Sequence, residues 1–227
     1  MHLVFRLALA GVAWAAAAGT ALAGDVEGVV RHAGAPPPPA RIEVAKDRAT
    51  CGSEVLDDAV RVRDGRLADA VVTLAGPGLA PAAPVRVRLG QERCRFVPRV
   101  LVAPVGSTLE VVNADPVLHT VNGWADRRPR FSVVTPGAGA TASARLDRPG
   151  EVRVSCDVHA WMRAVVAVVD RPAALSAPDG TFALRGIPPG RYTVRAWHER
   201  LGERTAQLDV PAEGAARVDL TFPPQPR

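Results

Sequence analysis

The stretch Cys156-Asp157-Val158-His159-Ala160-Trp161-Met162 decides how this chain is read. It joins a β-branched run at 151–155 to another at 164–169, so it reads as a hairpin loop that can turn three side chains toward one point. Those side chains are a thiol, an imidazole and a thioether at spacing C-x2-H-x2-M, and Met162 is the only methionine beyond the initiator. Together they are the soft and borderline donors that copper selects. A second imidazole is available at His119, which closes Asn113-Ala114-Asp115-Pro116-Val117-Leu118-His119 after a run at 108–113. Any one of these residues alone is as readily core packing as ligand. In combination they point to one copper ion held by His119, Cys156, His159 and Met162.

Outward from the loop, short β-branched runs separated by turn-formers recur at 26–31, 60–62, 70–74, 85–89, 97–102, 108–113 and 141–146. No helical period lasts more than a turn beyond the first 23 residues, which predicts an all-β sandwich or barrel. The proline run 36–39 reads as a stiff connector. A break at Asp170-Arg171-Pro172 introduces a second style of sequence, with turns at 176–180 and 186–190 separating strands at 181–184 and 192–197, then runs at 208–210 and 218–222. The expected organisation is therefore a copper-binding domain over 25–170 and a small β module over 174–223.

The 227 residues are 48% hydrophobic and 22% charged, with 20 Gly and 21 Pro. This composition excludes a disordered or collagen-like chain. The net charge of +5 is carried by arginines scattered along the chain, with Lys46 as the one lysine and only Arg127, Arg128 and Arg130 close together. A nucleic-acid partner is not expected, because no basic tract is interleaved with aromatics. Residues 1–23 carry one arginine, an apolar run from Leu7 to Ala18 and the ending Ala21-Leu22-Ala23. That is the pattern of a cleavable signal peptide, and it places the protein in the periplasm or outside the cell. The run is shorter than the roughly 20 residues a spanning helix needs. No later run is long enough, so no membrane span is expected in the mature chain.

The pair Asn113-x5-His119 and Cys156-x2-His159-x2-Met162 resembles the type 1 copper site of the cupredoxins, and the short ligand loop is most similar to that of amicyanin. The segment Phe96 to Thr108 resembles the strand pair that leads to the first ligand histidine. Through Pro178-Asp179-Gly180-Thr181-Phe182 and Pro188-Pro189-Gly190-Arg191-Tyr192, the last module resembles a carboxypeptidase regulatory-like, prealbumin-type sandwich. The resemblance implies a Greek-key cupredoxin sandwich followed by that module, and one type 1 copper cycling between Cu(I) and Cu(II). It also implies electron exit through a partly exposed His159 edge to a redox partner such as a cytochrome c or a periplasmic dehydrogenase. Two positions depart from the family pattern: Thr120 stands where Asn usually follows the first histidine, and Ala160 where the amicyanin loop has Pro.

Absent motifs narrow the function. A dinuclear copper centre needs two cysteines in the loop, and an oxidase needs paired H-x-H motifs; neither occurs. Four protein ligands leave no open position for a substrate, so electron transfer is expected rather than catalysis. The rival is a non-redox copper carrier, or an adhesion or carbohydrate-binding protein with a vestigial copper loop. With Cys156 as a thiolate, Cys51 and Cys94 remain, either bridged across a loop of about forty residues or as two separate thiols. Trp161 reads as part of a docking patch around His159 or as packing under the loop, and His198-Glu199 reads as structural.

Overall fold

The computed structural model describes residues 23–224, so the signal-peptide reading of residues 1–23 lies, but for Ala23, outside the described residues. Within them the chain is nearly all β, with one four-residue helix, Arg48–Cys51. No helix there is long and apolar enough to cross a membrane.

Two separate cores organise the strands. The first lies between a four-stranded sheet, ordered Thr141–Leu146, Ser107–Asn113, Arg86–Gln91 and Phe96–Val97, and a five-stranded sheet, ordered Arg128–Thr135, His119–Ala125, Gly150–Ser155, Arg163–Val169 and Val100–Pro104. Strict alternation in Ser107–Asn113 and His119–Ala125 sends every second residue inward, as a strand with one covered face requires. Leu89, Leu109, Val111 and Leu146 thereby meet Val121, Val152, Val154 and Val166 in a single apolar cluster. This pair of sheets packs as a β-sandwich, the all-β architecture expected of the first domain. A hairpin over Ala40–Glu43 and Glu54–Asp57, with the short helix between its strands, adds Val44, Cys51 and Val55 to the same core.

The second core corrects the expected boundary at residue 170. Gly24–His32 pairs antiparallel with Thr181–Ile187 and parallel with Ala215–Arg217 and Leu220–Phe222. Val71–Ala75 pairs with Ala173–Leu175 and Gly190–His198. Strands from before the first sandwich thus complete the C-terminal sheets, burying Val26, Val30, Leu67, Val72 and Leu74 against Phe182, Leu184, Tyr192, Val194 and Phe222. The physical reason is size, since a module of about fifty residues closes too little apolar surface by itself. Gly28 sits where the first strand changes partners, and a Cβ there would lie 1.8 Å from the Val218 carbonyl oxygen.

The two cores meet at Val71, Val100, Val165 and Ala167, with Trp197 packed against them. Arg99 crosses the same junction, donating from Nε (2.6 Å) and Nη2 (3.2 Å) to the Glu199 carboxylate. Glu199 is structural, as expected. The hairpin His119–Ala125 with Arg128–Thr135 was not legible beforehand. Its turn uses positive φ at Asp126 (50°) and Arg127 (61°), without the Asn-Gly or Asp-Gly pair that marks such turns.

Candidate copper site

Asn113, fully buried at the end of its strand, shapes the first ligand loop. Its Oδ1 accepts from Asp115 N–H (2.8 Å), while its Nδ2 donates to the carbonyls of Val117 (2.8 Å) and Thr135 (3.2 Å). The loop therefore delivers the Asp115 carboxylate to His119, with Oδ2 2.9 Å from Nε2. His119 opens the strand His119–Ala125 rather than ending the one before it.

The second loop starts where Gly150–Ser155 ends, and it closes by a Met162 N–H donated to the His159 carbonyl (2.9 Å). Thr120 ties the two loops together: its Oγ1 accepts from Asp157 N–H (2.8 Å) and lies 3.9 Å from Cys156 Sγ. The departure from Asn at this position thus keeps the tie between the loops. Met162 is buried within the core.

His119, Cys156 and His159 come together, all buried. The two Nδ1 atoms are 3.0 Å apart, and Cys156 Sγ lies 4.0 Å from His119 Nδ1 and 3.9 Å from His159 Nδ1. Each imidazole has its other nitrogen on a carboxylate, His119 on Asp115 and His159 on Asp47 Oδ2 (2.9 Å). A carboxylate only accepts, so it selects the Nε2–H tautomer of its histidine. The two Nδ1 atoms then face each other beside a sulfur, where in the metal-free chain a proton on one of them makes the contact a hydrogen bond. A cation in place of that proton would meet a well-formed donor set.

The acid–base balance agrees with this. Burial alone would raise the Cys156 thiol, but the hydrogen bond with His119 and the backbone hydrogen bonds with Thr120, His159 and Val158 outweigh it and bring it to about 6. Thiolate, the form a metal needs, therefore predominates at neutral pH. Burial pulls His119 down, yet its bonds to Cys156 and Asp115 leave it raised overall.

One expectation changes here and one open alternative is decided. The His159 edge is not partly exposed: the ring is fully buried, and Asp47 covers its Nε2. Trp161 acts as packing under the loop, with its Nε1 donating to the Cys94 carbonyl (3.0 Å) and its ring 5.2 Å from that of His159. Cys51 and Cys94 are bridged and Cys156 is free. Asp47 and Asp115 went unrecognised in the sequence. Asp115 had a usable signal, four residues before a ligand histidine in an Asx-turn context; Asp47, 112 residues from its histidine, had none.

A scan against protein-family models and a search of curated proteins found no match. Among solved structures, the chain is similar to a copper-containing nitrite reductase from Thermus scotoductus SA-01, at 27% identity and a TM-score of 0.33 over 42% of this chain and 25% of that one. It is also similar to a purple cupredoxin from Nitrosopumilus maritimus, at 19% identity and a TM-score of 0.32 over 37% and 99%. A third similarity is to amicyanin from Paracoccus versutus, at 18% identity and a TM-score of 0.34 over 43% and 97%. The chain spans a quarter of the nitrite reductase.

Proposed function

We propose that the protein is an exported electron carrier holding one type 1 copper ion, with His119, Cys156 and His159 as the strong ligands and Met162 as the long axial one. The observation that carries this is the pair of Nδ1 atoms 3.0 Å apart beside the Cys156 sulfur, each imidazole turned by a carboxylate on its far nitrogen. Copper bound there supplies a one-electron couple. The residues of the chain hold the two rings in one tautomer and keep the sulfur deprotonated. Burial of all three strong ligands within a packed sandwich excludes water and limits movement between oxidation states, which favours fast electron transfer. With four protein donors assigned to the ion, no coordination position is left for a substrate, so the reading is a carrier rather than an enzyme. Its partner would be another redox protein.

The test is optical. Copper-loaded, oxidised protein is expected to show an intense visible thiolate-to-copper band that bleaches on one-electron reduction. Bound Cu(II) without that band would select the rival reading, a non-redox copper carrier.

A further inference from the structure

The outer edge of His159 is covered from far away in the sequence. Asp47 lies at the start of the short helix Arg48–Cys51 in a left-handed conformation (φ 54°), and its carbonyl accepts from the N–H groups of Thr50 and Cys51 (2.9 Å each). This turn aims its side chain inward, to 2.9 Å from His159 Nε2. Val44 N–H donates to the Ser53 carbonyl (3.0 Å), which closes the segment into a loop. At its far end Cys51 is bridged to Cys94, and both sulfurs lie within 4.8 Å of a His159 nitrogen. Cys94 is itself gripped: the Asp115 carboxylate accepts from Arg93 N–H (2.6 Å) and Cys94 N–H (2.8 Å) while holding His119. The bridge therefore ties the segment that carries Asp47 to the turn that the His119 carboxylate partner, Asp115, holds in place.

We propose that residues 44–53 are a strap that seals the His159 edge, with Asp47 as the positioning residue for the His159 ring and the Cys51–Cys94 bridge as its latch. The proposal rests on the copper reading for its purpose, but not for its geometry. With the strap closed, small anions do not reach the metal past His159, and a redox partner does not approach through that ring. A carboxylate on the far nitrogen of a ligand histidine fixes the tautomer and ring orientation, and its loss typically costs about 10–100-fold in metal affinity.

The test uses the full chain and needs no copper for its first half. Asp47→Gly removes the carboxylate while keeping a residue at ease in the left-handed backbone, and Asp47→Asn keeps an acceptor oxygen there. In metal-free, nitrogen-15-labelled protein, the His159 ring N–H is expected to be protected from solvent exchange. Asp47→Gly should speed that exchange at least about tenfold, the equivalent of one lost hydrogen bond, while Asp47→Asn keeps most of the protection and His119 keeps all of it. In copper-loaded protein, Asp47→Gly should lower copper affinity about 10–100-fold and let azide perturb the Cu(II) spectrum, as should Cys51→Ser/Cys94→Ser. Unchanged His159 exchange in Asp47→Gly would overturn the proposal. So would equal loss of protection at both histidines, because that reports general loosening. A wild-type chain that binds no copper would sink the electron-carrier reading, and the ring-exchange result would still decide the strap.

Discussion

All four histidines among the described residues are buried, yet they form two opposite environments. In the first sandwich, His119 and His159 have carboxylates on Nε2 and a sulfur near Nδ1, so every ring nitrogen has a partner. In the second core, His32 and His198 each leave Nε2 without a hydrogen-bond partner. His198 lies against the Phe222 ring, and burial, then the charge of Arg99 and the neighbouring His32, push it down to about 4. Burial is common to both pairs, so burial does not distinguish them. The difference is a negative group on the far nitrogen of the first pair, which favours positive charge at the near one; an arginine nearby does the reverse.

The comparison breaks first at the sulfur. Cys156→Ser should abolish the visible band completely while the far-ultraviolet circular dichroism stays β, because the chromophore is the thiolate and the sheets have their own core. Full colour in that variant would remove Cys156 from the ligand set.

Next in size is the scaffold of the first pair. The Cys51–Cys94 bridge spans a sequence separation of 43, so Cys51→Ser/Cys94→Ser should lower unfolding free energy by about 4 kcal/mol in denaturant titrations. Alkylation of the unreduced, metal-free wild type should label Cys156 alone; three labels would remove the bridge.

The second pair is sharpened by pH. His198 is neutral in the folded chain down to about 4, against an ordinary 6.5, so between those values the unfolded chain binds more protons. Its contribution to stability is therefore full above about pH 6.5 and is lost as pH falls toward 4. Between pH 7 and pH 5 wild type should lose about 2 kcal/mol more than His198→Gln. Equal losses would show that this imidazole charges freely in the folded state.

The smallest expected effect is at Met162. Met162→Leu should keep copper and the visible band and raise the reduction potential, since loss of a weak axial donor disfavours Cu(II). Loss of copper in that variant would make Met162 a primary ligand.

Legibility in the sequence followed distance along the chain. The ligand loop was readable because Cys156, His159 and Met162 fall within seven residues between two β-branched runs. His119 was readable because one more imidazole was required and few were available. Asp47 was not, because a carboxylate that reaches a histidine through the turn of a four-residue helix leaves no spacing to recognise. The all-β class followed from alternation, whereas the partners of each strand did not. Val26 and Val72 read as core positions wherever their strands go, and only pairing reveals that they complete the C-terminal sheets. The break at residue 170 was a true change of style, but it marks a return to strands already made, not the start of an independent core.

That return has a consequence during synthesis. On the ribosome Val29 precedes its partner Thr181, and His32 its partner Phe222, by an interval of about 10–40 s at ordinary elongation rates. Throughout it the first strand waits with open edges, while the whole of the sandwich with His119, Cys156 and His159 is made and can fold behind it. All strands of the first sandwich are thus made before the frame around them can close, and the nascent chain's exposure to mispairing is concentrated in its opening strand.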